Sequence, residues 1–382
     1  MYASDTVLYV GFFIFLISIL PPFIHLIRVK GEVFKLNNYT NSTAIKNIAV
    51  LLPVRDESLV IADKIDEIFN IDNNGFEINL LIIDSGSDDN TAKIASEYLV
   101  NKYPNKKYEV LTFDQPGKSF AVSKGFELLN EEIIIMMDAE AILNKQTFND
   151  IIEYFKDPKV GAVCGHQMSK KGGYRGFFNR LRIGESAMDS STVFEGSICA
   201  FRKSAVSKNP LINNINADDT QLALDVRRNG FRSIMAPNIQ FNEPVITNYD
   251  EYFRKVRRAQ GLIRVLFANK DMIFGNGKFS IFFASTFYFY IMMPWLNVLS
   301  FILIIYPLLS MIFGATLYTD LVFFGYISGL FLCLCLKFSR EYFLGIFSLL
   351  QAQITYIFGY SLHIWKPNQN IRKNRKEIKL DK

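Results

Sequence analysis

The sequence is short of the residues that most often hold metals or staple folds. Its 382 residues include three histidines, His25, His166 and His363, too far apart to argue for a histidine metal site. The four cysteines, Cys164, Cys199, Cys333 and Cys335, lack metal-finger spacing, and the last two fall in an apolar run. They read as reduced packing cysteines rather than a disulfide framework. No internal repeat or low-complexity tract is present. Charge is missing from residues 7–24, 279–319, 321–336 and 342–365. A run of about 20 apolar residues crosses the hydrocarbon core of a bilayer, so these stretches read as membrane helices. The first has no basic region before it and no small-residue cleavage site after it, which favours an anchor over a secretory signal.

What is abundant fits that reading. The chain is 50% hydrophobic and 14% aromatic, with 35 Phe and 18 Tyr, and the apolar excess is localised to the uncharged runs. Net charge is +5, and the basic residues gather at Arg28, Lys30 and Lys35, at Arg254 to Arg264, and at Lys366 to Lys382. The positive-inside rule then places residues 45–275 in the cytoplasm and the N-terminus outside. A cytoplasmic basic tail requires an even number of later spans, and a break at Pro294 or Pro307 within 279–319 would give four. If Pro294 only kinks one long helix, three follow. No basic stripe crosses the intervening segment, so nucleic acid is not indicated as a partner. The triplets Asn38-Tyr39-Thr40 and Asn41-Ser42-Thr43 match a glycosylation site but fall on the cytoplasmic side, and read as chance.

Between the apolar runs, residues 48–54 and 78–83 have the composition of buried strands, and Leu59, Ile61, Ile65, Ile68 and Phe69 between them recur at helical spacing. The alternation continues with a helix over 91–100, a strand over 108–113, a helix over 119–129 and a strand over 133–137. It predicts an α/β fold with a mostly parallel sheet. Residues 174–188 and 249–267 are amphipathic, aromatic and arginine-flanked, a pattern suited to a bilayer interface.

The chemistry-bearing residues come in a fixed order. Pro53-Val54-Arg55-Asp56-Glu57 follows the first strand. Asp84-Ser85-Gly86-Ser87-Asp88 follows the second, and Pro116-Gly117-Lys118-Ser119 opens a helix. Asp138-Ala139-Glu140 ends the fourth strand, Asp218-Asp219 precedes another helix, and Arg254, Arg257 and Arg258 share a helical segment. Carboxylates at the carboxyl ends of strands lie where open α/β sheets bind ligands. Their mutual repulsion calls for a cation or a proton-transfer task. Asp218 also reads as a helix N-cap.

This ordered set resembles the family-2 inverting glycosyltransferases of GT-A fold, in the membrane-integrated branch with ceramide glucosyltransferase and the cellulose, chitin and hyaluronan synthases. The resemblance covers residues 47–270. It implies a Rossmann-like GT-A domain at 45–275, while the uncharged runs and the basic clusters give an N-terminal transmembrane anchor at 1–30, three to four transmembrane helices within 279–365 and a basic tail at 366–382. It implies that Pro53, Arg55, Glu57, Asp84, Lys118, Asp138, Arg254, Arg257 and Arg258 hold a UDP-sugar, Asp84 through the base and Lys118 through a phosphate. Asp138 and Glu140 would bind Mg²⁺ or Mn²⁺, and Asp219 would be the general base. The implied partners are a UDP-sugar donor, a lipid or glycan acceptor and membrane lipids.

Two departures bear on function. Ser85 stands where the family often has a second acid. Arg258 stands where processive synthases have a tryptophan that stacks the growing chain. The expected activity is therefore transfer of one sugar from a UDP-sugar to a membrane-borne lipid acceptor, a glycolipid or polyprenyl phosphate, with inversion. The alternatives are a processive polysaccharide synthase and a catalytically silent membrane protein.

Overall fold

The structure, a computed structural model, describes residues 3–31, 45–72, 75–168, 174–212, 215–243, 248–312 and 337–361. The apolar run 321–336, Cys333, Cys335, both glycosylation triplets and the basic tail lie outside the described residues. The chain divides into two packed units. One comprises Gly31–Ser169, Arg182–Glu251 and Ser361–Lys382, the other Met1–Lys30, Lys170–Leu181 and Tyr252–Tyr360.

The first unit is built on a seven-stranded sheet. The strands are β1 (Asn47–Val54), β2 (Glu77–Ser85), β3 (Lys107–Phe113), β4 (Ile133–Met137), β5 (Val160–Gln167), β6 (Ile198–Arg202) and β7 (Arg232–Phe241), in the order β3-β2-β1-β4-β6-β5-β7. All neighbours pair in parallel except β4 with β6 and β5 with β6. Because successive side chains of a strand point to opposite faces, β1 feeds two cores at once. Ile48, Val50 and Leu52 pack with α2 (Ile61–Phe69), α3 (Thr91–Lys102) and α5 (Thr147–Phe155). Ala49 and Leu51 pack with α4 (Lys118–Leu128) and α7 (Asp218–Arg228). Coverage of both faces explains why β1 and β4 read as unbroken apolar runs rather than alternating ones.

The second unit is helical: α1 (Ala3–Val29), the first part of α6 (Tyr174–Met188), most of α8 (Asn248–Ala268), α9 (Lys278–Phe287), α10 (Met293–Ile312) and α11 (Lys337–Ile357). Among the described residues two helical stretches, Thr6–Val29 and Lys278–Tyr306, are long and apolar enough to cross a membrane. On α1, Phe13, Leu16 and Ile27 are exposed at 63%, 57% and 71%, so this apolar helix is not the buried core of its unit.

Of the two alternatives at Pro294, a break and a kink, the described residues show no break. Helix continues from α9 through a π-helical turn at Tyr288–Met292 into α10, as the kinked-helix alternative has it. Proline lacks the N–H that the Tyr290 carbonyl would accept in an α-helix. Gln353 of α11 replaces that donor: its Nε2 donates to Tyr290 O at 2.9 Å and to Ile291 O at 3.4 Å, while its Oε1 accepts from Trp295 Nε1 at 2.7 Å. A side-chain donor and a π turn together carry the helix through the proline.

Candidate active site

The carboxyl ends of β1 and β2 start side by side, since Val54 is in register with Asp84. The two following loops then lock together. The Asp56 N–H donates to Ser87 Oγ at 2.9 Å, the Glu57 N–H to Thr91 Oγ1 at 2.8 Å and the Asp88 N–H to Asp56 Oδ1 at 2.7 Å. Gly86 turns at φ +76°, a conformation costly for any residue with a Cβ, and lets the Ser87 N–H reach Asp84 Oδ1 at 2.9 Å. Asp84 is 2% exposed. Burial pushes its carboxyl above the usual carboxylate range, against the Ser87 hydrogen bonds. Pro53 lies within β1, Glu57 is buried, and the Arg55 Nε is 3.9 Å from Asp56 Oδ2.

One short segment gathers the remaining acids. β6 runs antiparallel to β4 with Ile198 opposite Met137, so Gly196 and Ser197 arrive at the carboxyl end of β4. The Asp138 N–H donates to Ser197 O at 3.1 Å. On the other side, a Cβ added to Gly196 would lie 2.9 Å from Asp219 Oδ2. Gly196 and Ser197 thus link Asp138 to Asp219. Asp219 Oδ1 accepts the Thr220 N–H at 2.8 Å, and the Thr220 hydroxyl accepts the Phe194 N–H at 3.2 Å, tying α7 to the same segment.

Asp218 is not the N-cap expected from its place in the sequence. Ala217 holds that position in the left-handed region at φ +64°, and Asp218 Oδ1 accepts from Ser119 Oγ at 2.5 Å. Ser119 is pulled by two partners, since its hydroxyl also lies 3.0 Å from Ile215 O. Left-handed backbone at alanine costs on the order of 1 kcal/mol. Among the described residues Ala217 and Asp56 are the non-glycine positions with positive φ, and both adjoin the acids of the site.

Lys118, the first residue of α4, completes the cluster. Its Nζ lies 2.6 Å from Asp138 Oδ1. Burial works against the charged ammonium, but Asp138, Asp218 and Asp219 outweigh it and hold Lys118 above the ordinary lysine range. The loop after β4, which carries Glu140, is clamped from three directions. Lys64 Nζ donates to Ala141 O at 2.9 Å, the Leu143 N–H to Glu67 Oε1 at 2.6 Å, and Ile142 pairs with Asn242 beyond β7.

Glycine at 196 is required by this closeness, not by backbone conformation, because its φ lies outside the left-handed region. Gly196→Ala should fold with an unchanged melting temperature, yet displace the Asp219 carboxylate. Misplacement of a reacting group by about 1 Å costs up to ~100-fold, so transfer assayed under saturating conditions should fall by roughly 10- to 100-fold.

Residues 49–219 match the profile of Glycosyl transferase family 2. The chain carries a family 2 glycosyltransferase domain. It is 26% identical over 196 residues to a poly-beta-1,6-N-acetyl-D-glucosamine synthase of Staphylococcus epidermidis, covering 48% of this chain and 44% of that protein. It is 29% identical over 137 residues to a dolichyl-phosphate beta-glucosyltransferase of Dictyostelium discoideum, covering 33% of this chain and 42% of that protein. The chain thus spans less than half the length of these curated relatives. Among solved structures, a mannosyltransferase of Pyrobaculum calidifontis in complex with GDP-Man and Mn²⁺ superposes with TM-score 0.75 at 19% identity, over 92% of this chain and 99% of that one. That likeness establishes the GT-A fold.

Within the family 2 domain, the predicted residues Pro53 and Asp84 lie at the carboxyl ends of β1 and β2, Arg55 and Glu57 lie in the loop after β1, and Lys118, Asp138 and Asp219 lie about the Gly196–Ser197 segment. Glu140 follows Asp138 on the clamped loop. Arg254, Arg257 and Arg258 lie on α8 in the helical unit. Lys64 and Glu67 were not foreseen, nor were the partners of Ser119 and Ser197. Each of the four acts on a partner far away in the chain, 77 residues in the case of Lys64 and Ala141, so spacing carries no signal of it. Cys164 and Cys199 face each other across β5 and β6. Burial pushes the Cys199 thiol well above the usual thiol range, as suits a packing residue.

Proposed function

We propose that this family 2 domain transfers one sugar from a UDP-sugar to a membrane-borne lipid acceptor, with inversion, from the cytoplasmic face. The observation that carries the reading is the pairing of Asp138 and Asp219 through Gly196 and Ser197. That link supports a reading in which Asp138 serves the donor through a cation and Asp219 serves the acceptor as the base. Asp219 takes the proton of the acceptor hydroxyl as that oxygen bonds to the anomeric carbon. The bond from that carbon to the diphosphate breaks on the opposite face, and its electron pair leaves with UDP. A positioned general base of this kind contributes about 10²–10⁴-fold in rate.

Asp138 and Glu140 fit a divalent cation by the chemistry of their donors. Two hard carboxylate oxygens one residue apart suit Mg²⁺ or Mn²⁺. When bound, the ion supplies positive charge against the leaving diphosphate. Asp84 would accept from the base, while Arg55 and Lys118 would lie on the phosphate side. Arg254, Arg257 and Arg258 add charge on α8 that suits a diphosphate or an anionic head group. The exposed apolar side chains of α1 and the exposed Phe253 and Phe267 of α8 favour an acceptor taken from the bilayer.

The second reading, a processive synthase, draws on the poly-N-acetylglucosamine synthases among the relatives, but Arg258 occupies the place of the stacking tryptophan. Release of nucleotide diphosphate by the detergent-purified protein, with lipid extract, Mn²⁺ and each common UDP-sugar, tests both. GDP-mannose serves as the purine control. A single product of lipid size supports single transfer, and a ladder of increasing mass overturns it in favour of the synthase.

A further inference from the structure

We infer that Lys118 is an internal counter-ion for Asp138, occupying the carboxylate that the divalent cation needs until a donor diphosphate draws the ammonium away. Cation and donor would then bind cooperatively. The inference rests on the cation site of the proposed function and concerns the state of that site before substrate arrives.

Lys118 Nζ lies 2.6 Å from Asp138 Oδ1, a charge-assisted contact at short range. Its backbone is pinned where it stands, because the next residue, Ser119, is tied to Asp218 Oδ1 and Ile215 O. Its side chain is not pinned: it is 30% exposed, on a four-carbon stem that can swing. Beyond Asp218 and Asp219, which also favour its charge, a lysine so placed has two anionic destinations. One is the Asp138 carboxylate, and the other is a phosphate brought by the donor beside the N-terminus of α4, where a helix end favours anions. A cation at Asp138 and an ammonium 2.6 Å from one of its oxygens repel each other, so the two compete for Asp138. A diphosphate relieves that competition by offering the ammonium a new partner. By linkage, whatever the donor adds to cation affinity, the cation adds to donor affinity.

The test is titration of the full chain in detergent with Mn²⁺, reading free Mn²⁺ by electron paramagnetic resonance, first without nucleotide and then with saturating UDP. The variants are Lys118→Met, which removes the charge, and Lys118→Arg, which keeps it. A melting temperature for each confirms folding, with Lys118→Gln in reserve should the methionine variant fail to fold. Lys118→Met is expected to bind Mn²⁺ at least tenfold more tightly than the parent without nucleotide, and to gain less from UDP. Lys118→Arg should stay near the parent. Unchanged or weaker Mn²⁺ binding by Lys118→Met without nucleotide overturns the inference and leaves Lys118 a simple phosphate ligand. If neither the parent nor the variant binds Mn²⁺ even with UDP, the cation site itself is refuted.

Discussion

Asp219→Asn is expected to lower turnover by about 10²–10⁴-fold while leaving UDP affinity within about twofold of the parent. The substitution separates shape from chemistry. An asparagine keeps an oxygen to accept the Thr220 N–H, bonded at 2.8 Å in the parent, and retains the volume that packs against Gly196. What it loses is the ability to take a proton from the acceptor hydroxyl. In the proposed site the nucleotide is held by the β1 and β2 loops and by Lys118, which loses only one of the three carboxylate charges that favour its ammonium. UDP release at saturating donor, with calorimetric UDP binding on the same preparation, measures both quantities. Turnover within threefold of the parent would place the base elsewhere. A parent that neither turns over nor binds UDP would favour the catalytically silent alternative.

The sequence made the framework of this site legible because the framework is local. Five apolar residues of β4, all buried, followed at once by Asp138 can only be a strand ending in an acid. The helical spacing of Ile61, Ile65 and Ile68 is the spacing of residues that are wholly buried. What could not be read was set by tertiary partners. Asp218 has the composition and place of an N-cap, yet Ala217 takes that place and frees the Asp218 carboxylate for Ser119, 99 residues away. Pro294 has the signature of a helix break, and Gln353, in a separate helix, carries the helix through it. From its neighbours in sequence Lys118 is expected to be a phosphate ligand. Its ion pair with Asp138 depends on α4 and β4 ending at the same edge of the sheet.

Lys64→Met is expected to destabilise the domain by about 3–5 kcal/mol, the cost of breaking one side of a buried ion pair. Lys64 is fully buried, with its ammonium 3.2 Å from Glu67 Oε2 and 2.9 Å from Ala141 O. On a helix as amphipathic as α2 a lysine would ordinarily lie on the solvated face. Here it reaches under the loop that follows Asp138, and its partner Glu67 accepts the Leu143 N–H at 2.6 Å. Methionine fills most of the volume but takes the ammonium away from the Glu67 carboxylate and the Ala141 carbonyl. For a domain of this size each kcal/mol lowers the melting temperature by about 2–4 °C, so a fall of roughly 6–20 °C by scanning fluorimetry is expected. The double variant Lys64→Met, Glu67→Gln tells the causes apart. Glutamine is uncharged but keeps an oxygen for the Leu143 N–H, so it should recover part of the loss if the charge left without that ammonium is responsible. If the double variant is no more stable than Lys64→Met, the cost lies in the lost hydrogen bond to the Ala141 carbonyl and the loosened loop. Mn²⁺ binding to the folded fraction should then weaken as well, since that loop holds Glu140 beside Asp138.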